Sequence, residues 1–191
     1  SLAHEVGDLG GFADALDWQV YRQDSETTQD TVEERLLPAP TLRDLRERSF
    51  NFDQRVVGLQ LNLRKSLGEP VVHDLAWGLD VSRTDTRQKR DGLRTFPLTG
   101  VQTPVMLPDV FPVRDFPNSV TTTAALYLQD EISFAGGGFR LIPAVRVDRY
   151  ELEPRVDAIF EEDNPGFEAT GIRKTHVSPK LGAVWHFSGD W

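Results

Sequence analysis

His4, His73, His176 and His186 are the side chains of this chain best suited to hold iron or another transition metal, through a neutral ring nitrogen. Cysteine is absent, which removes thiolate metal sites, disulfides and cysteine nucleophiles together. Glu161, Glu162, Asp163 and Asn164 form an acidic group. It lacks the alternating spacing and turn glycine of a calcium loop, so a solvated loop is expected. Gly136, Gly137 and Gly138 lie between two extended stretches with no helix start to receive an anion, and they read as a turn. Arg83, Arg87, Lys89, Arg90 and Arg94 form a basic string. A solvated charge run is its ordinary reading, and an anchor for acidic groups the sharper one. No serine stands on a nucleophile elbow. No catalytic residues and no resident metal site are expected, so the chain does not read as an enzyme.

What positions these groups is a period of two. In Val57-Gly58-Leu59-Gln60-Leu61-Asn62-Leu63-Arg64 every odd residue is aliphatic, and every even one is polar or glycine. A strand makes such a pattern and a helix cannot. Val71 to Thr84 continues it, with Leu75, Trp77, Leu79 and Val81 on the apolar side, and the turn-like Ser66 to Pro70 joins the two. Four further stretches alternate in the same way: Leu16 to Tyr21, Ala124 to Phe134, Phe139 to Asp148 and Val177 to Phe187. Asp130 interrupts the apolar side of the second of these. The expectation is all-β, an antiparallel up-and-down meander of about six strands. Residues 37–48 carry the only helical suggestion, a turn or two.

Composition bounds the partners. The net charge is −9, which argues against nucleic acid, since phosphate binding needs basic surface. No run free of Asp, Glu, Lys and Arg is longer than the 14 residues of Phe116 to Gln129, well short of the roughly 20 apolar residues of a membrane helix. A strand crosses a bilayer in about 9–11 residues with only one apolar face, so membrane proteins built from strands stay open.

Connection lengths decide between the remaining classes. They run long, short, long, short, long: 25–48, 65–70, 85–120, 135–138 and 151–175. In a meander all long ones then leave one end of the sheet and all short ones the other. That is the habit of outer-membrane barrels, whereas long structureless connections are uncommon in compact soluble domains. Trp18, Trp77 and Trp185 share the apolar face, as interface tryptophans do. The alternative, of a different class, is a soluble β-sandwich that serves as a binding or adhesion module. His73 and His186 fall at the short-turn end and His4 precedes the first strand. His176 alone falls at the long-loop end.

Three strings carry a resemblance. Ala125 to Ile132 (ALYLQDEI), Ile142 to Tyr150 (IPAVRVDRY) and Ser178 to Gly182 (SPKLG) are similar to the mid-barrel of TonB-dependent outer-membrane receptors. The likeness is nearest the heme/hemoglobin receptor branch, which Trp77-Gly78-Leu79-Asp80 and Phe116-Pro117-Asn118-Ser119 also fit. The resemblance implies a bacterial outer-membrane barrel of about 22 strands, plugged by an N-terminal domain and driven by the TonB complex through that domain. Residues 1–191 would be a partial barrel, with plug and C-terminal strands absent. Heme, free or on a carrier protein, would be the transported ligand rather than a bound cofactor. His176, where an external heme would arrive, is then the one candidate ligand, because imidazole is a common axial ligand of heme iron.

Overall fold

The computed structural model describes residues 1–37, 43–134 and 138–186. In chain order the elements are β1 (Leu2–Gly7), β2 (Ala15–Leu36), β3 (Arg43–Leu67), β4 (Val72–Phe96), β5 (Val101–Thr103), β6 (Val105–Met106), β7 (Asp109–Val110), β8 (Asn118–Ser133), β9 (Phe139–Arg155), α1 (Ala158–Asp163) and β10 (Ile172–Trp185). Seven of them form one antiparallel meander in the order β1-β2-β3-β4-β8-β9-β10, with β5 added beside β4. The pair β6-β7 is a separate small hairpin. The all-β meander is as the alternation requires, with one strand more than expected. That strand is β1, which pairs His4 with Trp18 and Val6 with Leu16, so His4 lies within the sheet rather than before it.

Register turns the alternation into two surfaces. Along one rung run His4, Trp18, Leu61, Leu79, Leu126, Val147 and Val177, each opposite the next. The neighbouring rung of the same face carries Val6, Leu16, Leu63, Trp77, Leu128, Val145 and Pro179. On the other face the matching rung is Asp17, Asn62, Gly78, Tyr127, Arg146 and Ser178. Gly78 serves a close approach there. The Tyr127 ring lies across it and donates to Asn62 Oδ1 at 2.7 Å, and a Cβ would strike that ring and the Leu61 carbonyl. Gly58 stands under Tyr21 in the same way.

Nothing covers the apolar face among the described residues. Leu126, Leu181 and Trp185 are 60%, 70% and 67% exposed, whereas a sandwich would bury them under a second sheet. Among the described residues the one cluster of buried apolar side chains, Met106, Phe111 and Val113, lies above this belt. On β9 the belt runs Phe139, Leu141, Pro143, Val145, Val147 and then meets Arg149, a height suited to a bilayer core. Aromatic rings gather at the short-turn end: Phe139 packs on Phe134 and Trp185, with centroids 5.5 and 6.4 Å apart, and Phe12 meets Trp77 at 5.8 Å. Such a girdle marks a membrane interface. Asp130, the break in the apolar side, sits at the same end, where His73 Nδ1 lies 2.8 Å from its carboxylate.

The long connections are not loops over most of their length. β2 and β3 stay paired from Ala15↔Arg64 to Leu36↔Arg43, so residues expected to form a loop are a continued ladder. Residues 43–48 are strand, not helix, and Arg43–Glu34 and Arg48–Glu33 ion pairs at 2.8 and 3.4 Å tie them across it. Residues 38–42 lie outside the described residues, as do Gly136 and Gly137 of the glycine turn and Phe187.

In the intact protein inserted in a bilayer, Leu61→Arg should cost about 2–4 kcal/mol. Asn62→Arg, one residue along on the polar face, should cost less than half of that. Urea unfolding in lipid vesicles measures both, and equal costs would reverse the assignment of faces.

Candidate functional site

The polar face is a built surface. From the short-turn end upward, Arg140 pairs with Glu131 at 2.6 Å, Arg64 with Asp17 at 3.2 Å and Arg146 with Asp148 at 2.8 Å. Gln60 donates to Asp80 at 3.2 Å, and the Ser82 and Thr123 hydroxyls meet at 2.7 Å. Alternation on strands produces this wall without any further rule: each residue facing it is one step from a residue of the apolar belt.

Beyond the belt the same strands carry an upper structure. Gly92 of β4 leaves room for Met106 and Phe111, which with Val113 seat the 97–117 connection on the sheet. Backbone bonds between Arg90 and Val113, each 2.9 Å, extend the ladder past the start of β8. Arg114 then joins two connections. Its guanidinium donates to the Gln88 carbonyl and to Asn118 Oδ1, and pairs with Asp157 at 2.9 Å. Its backbone N–H donates to Asp163 at 3.2 Å, and Asn164 Nδ2 donates to its carbonyl at 3.0 Å. The acidic group at 161–164 is therefore the end of α1, capped by Asp157 and fastened to Arg114. It is helix end rather than loop: Asp163 accepts from the Arg114 backbone N–H and the Asn164 amide donates to the Arg114 carbonyl, some 50 residues away in sequence, while Glu161 and Glu162 stay exposed as a solvated group would.

Higher still, Asp44 is fully buried between Arg46 and Arg94, at 2.9 and 2.5 Å, and Arg94 lies 4.5 Å above the Phe96 ring. Burial pushes the Asp44 carboxyl up, but the two guanidiniums outweigh it and hold the pKa below its ordinary value. Asp24, on the β2 segment above the belt, receives hydrogen bonds first from Arg22 and then from Arg55, which take it down to about 2.

The sequence candidates separate. His73 and His186 lie at the short-turn end as expected, His186 against Arg140 at 3.1 Å. His176 is not in a loop. It stands five residues into a strand that begins at Ile172, opposite Asp148 on the polar face, near the upper limit of the belt. The basic string divides by parity: Arg83, Arg87 and Lys89 share the side of Leu79 and Val81, and Arg90 and Arg94 the opposite side. Arg90 pairs with Asp115 at 2.9 Å and Arg94 with Asp44. Among the described residues no group of His, Asp and Glu is arranged to hold a metal ion.

A family model described as TonB dependent receptor-like, β-barrel, matches residues 2–191. The chain belongs to that family. A comparison with curated proteins finds no match. The TonB-dependent receptors are bacterial outer-membrane receptors and transporters, not enzymes, which fixes what the two faces touch. The belt meets lipid and the polar face lines the barrel interior. The upper structure of this TonB-dependent receptor barrel, with Arg114 at its centre, stands on the outer side. Arg114, Gln88 and Asp44 were not readable as a site, because their partners come together only through register and through a connection that folds back. The one available signal is a polar or charged residue at three of four successive even positions along β4, Gln88, Arg90 and Arg94, with Gly92 between.

Two outcomes follow from this upper structure. Arg114→Ala should free α1, seen as at least tenfold faster amide exchange over residues 158–164, with residues 57–63 unchanged; an unchanged rate there would mean that the clasp does not hold. Acid should loosen the extension of β2, β3 and β4 above the belt, where Asp24 ties β2 to β3 and Asp44 ties β3 to β4. Both carboxylates have lowered pKa values, so their contribution is complete above about pH 4 and is lost as pH falls through the folded value, about 2 for Asp24 and below the ordinary value for Asp44. Exchange protection at residues 43–55, corrected for intrinsic rates, should drop between about pH 5 and about pH 2. Equal protection at the two values would remove these ion pairs from the stability of the wall.

Proposed function

We propose that this chain is part of the wall of a receptor that carries heme or another iron source across the outer membrane, with energy supplied through TonB. The observation that carries the transport reading is the apolar belt, interrupted at Asp130 near its short-turn end, with a largely polar interior wall behind it. The iron reading rests on the three strings that resemble the heme receptor branch. It is supported by the chemistry of the upper interior wall, where His176, Tyr150 and Lys174 occupy adjacent rungs. Imidazole and phenolate are both ligands of heme iron, and lysine suits propionates.

Among the described residues β1 and β10 each leave an edge of backbone donors and acceptors unpaired by other strands. Such edges are not tolerated in hydrocarbon, so further strands of the same receptor pair there, and a plug fills the interior. In this reading the upper part of the wall is reached by ligand from outside. It forms one side of a passage that opens when TonB draws on the plug, and His176 is a contact along that passage.

In cells that depend on hemin for iron, deletion of the receptor should stop growth, and loss of TonB should do the same. Growth on hemin without the receptor would remove the heme assignment and leave the transport reading intact. In the purified intact receptor, His176→Ala should weaken hemin binding about tenfold in a Soret titration. Unchanged affinity would remove His176 as a ligand.

A further inference from the structure

The apolar belt carries an acid near its short-turn end. Asp130 shares the outward parity of β8 with Leu126, Leu128 and Ile132 and stands opposite Leu75 of β4. An ionised carboxylate on a lipid-facing surface is costly unless a partner neutralises it. His73 supplies part of that partnership, with its Nδ1 2.8 Å from Asp130 Oδ2. Asp130 Oδ1 lies below the surface and receives no hydrogen bond among the described residues.

The neighbouring charges are spent elsewhere. Lys65, on the same rung beyond Leu75, is held by Asp14 at 2.6 Å and by the Gly10 carbonyl at 3.4 Å. Glu131, next in sequence, faces the interior and pairs with Arg140 at 2.6 Å. The outward patch therefore sets Asp14 and Asp130 against one lysine and one imidazole, an excess of acid on a surface that meets lipid. The ladder is incomplete at the same place. The β8-β9 register is interrupted between Gln129↔Ala144 and Ile132↔Leu141, at Pro143, which has no N–H.

The surroundings limit what can meet this acid. Trp77 and Leu128 form the next rung toward the middle of the belt, and Ile132 lies opposite His73 on the other side. The 8–14 connection folds over Lys65 and brings Phe12 to Trp77, with ring centroids 5.8 Å apart. A fitting partner has a cation with N–H donors, an apolar body to lie on the belt, and no net negative charge. A phospholipid with a primary ammonium headgroup has all three, and its phosphate, a few bonds from the nitrogen, suits the exposed edge of the His73 ring. An anionic phospholipid brings the wrong sign. A quaternary ammonium brings the right sign without a hydrogen to donate.

We propose that Asp130 and His73 are a docking site for an ethanolamine-type phospholipid of the periplasmic leaflet. Its ammonium donates to the Asp130 carboxylate, its phosphate faces His73, and its acyl chains lie along Trp77, Leu79 and Leu126. The site depends on the orientation of the barrel and not on which ligand is taken up. Lipid held there neutralises the one acid that interrupts the belt, beside the interruption of the ladder at Pro143.

The test is native mass spectrometry of the intact receptor in detergent. The probes are phosphatidylethanolamine, phosphatidylcholine and phosphatidylglycerol with identical acyl chains. One phosphatidylethanolamine should be retained about tenfold better than either of the others, and Asp130→Asn should abolish that preference. Asp130→Glu should keep it. Glu131→Gln, one residue along on the interior face, should leave it unchanged. Heat-modifiable mobility reports whether each variant folds; if Asp130→Asn does not, the comparison of the three lipids on the wild-type receptor decides alone. Equal retention of the three would mean annular lipid only and would overturn the proposal. So would a preference that survives in folded Asp130→Asn, or displacement by soluble phosphoethanolamine, which would mean a free-headgroup site. A dimer that carries no lipid would overturn it too, because a second copy would then cover the patch.

Discussion

A peptide group in hydrocarbon has no partner except another peptide group. Every other feature of this molecule follows from meeting that condition with strands. The ladder from β1 to β10 pairs each interior strand on both sides, and the β8-β9 register is interrupted between Gln129↔Ala144 and Ile132↔Leu141, at Pro143, which has no N–H to give. Once the backbone is satisfied laterally, side chains are released from that duty, and alternate residues can meet opposite solvents. The belt then needs no packing partner from the protein itself. This is why so few apolar side chains are buried in a chain of this length.

The same ladder explains the upper structure. Hydrogen bonding between β2 and β3 does not stop where lipid ends; it continues for more than a dozen residues toward the tip of the hairpin. Above the belt the backbone could be satisfied by water, so the ladder there needs other support. Ion pairs provide that support: Arg55 of β3 reaches Asp24 of β2, which Arg22 also holds, and Arg94 of β4 reaches Asp44 of β3, which Arg46 also holds. Most are exposed pairs of small individual worth, but those at Asp44 are buried and in pairs they fix register where no apolar pattern can.

Legibility in the sequence tracks the contrast between the two faces. From Val57 to Arg64, and from Leu75 to Val81, one face is lipid and the other water, so strands and their ends were readable. Above the belt both faces meet water, the contrast vanishes, and residues 25–48 read as a loop although they are strand. β1 was missed for a related reason: Leu2, His4 and Val6 against Ala3, Glu5 and Gly7 is too short and too mixed a pattern. His176 was placed by connection length, and the error passed directly from the strand end to the histidine. The clasp at Arg114 was beyond reach because its partners, Gln88, Asp157, Asp163 and Asn164, converge only in three dimensions.

Parity also changes the meaning of charge along one strand. Arg90 and Arg94 turn inward to carboxylates that hold connections in place, and their charges are spent on the fold. Arg83 and Arg87, on the other parity, meet a boundary where hydrocarbon gives way to headgroups. A structural arginine and a lipid-facing arginine can therefore be neighbours in sequence without sharing any environment. The belt sets which is which: the last apolar residue on each strand, Val81 on β4 and Val147 on β9, fixes the height at which a charge on that face stops being a penalty. Above that height an outward cation is no longer a cost to the fold, and what it does depends on the chemistry of the leaflet that surrounds it.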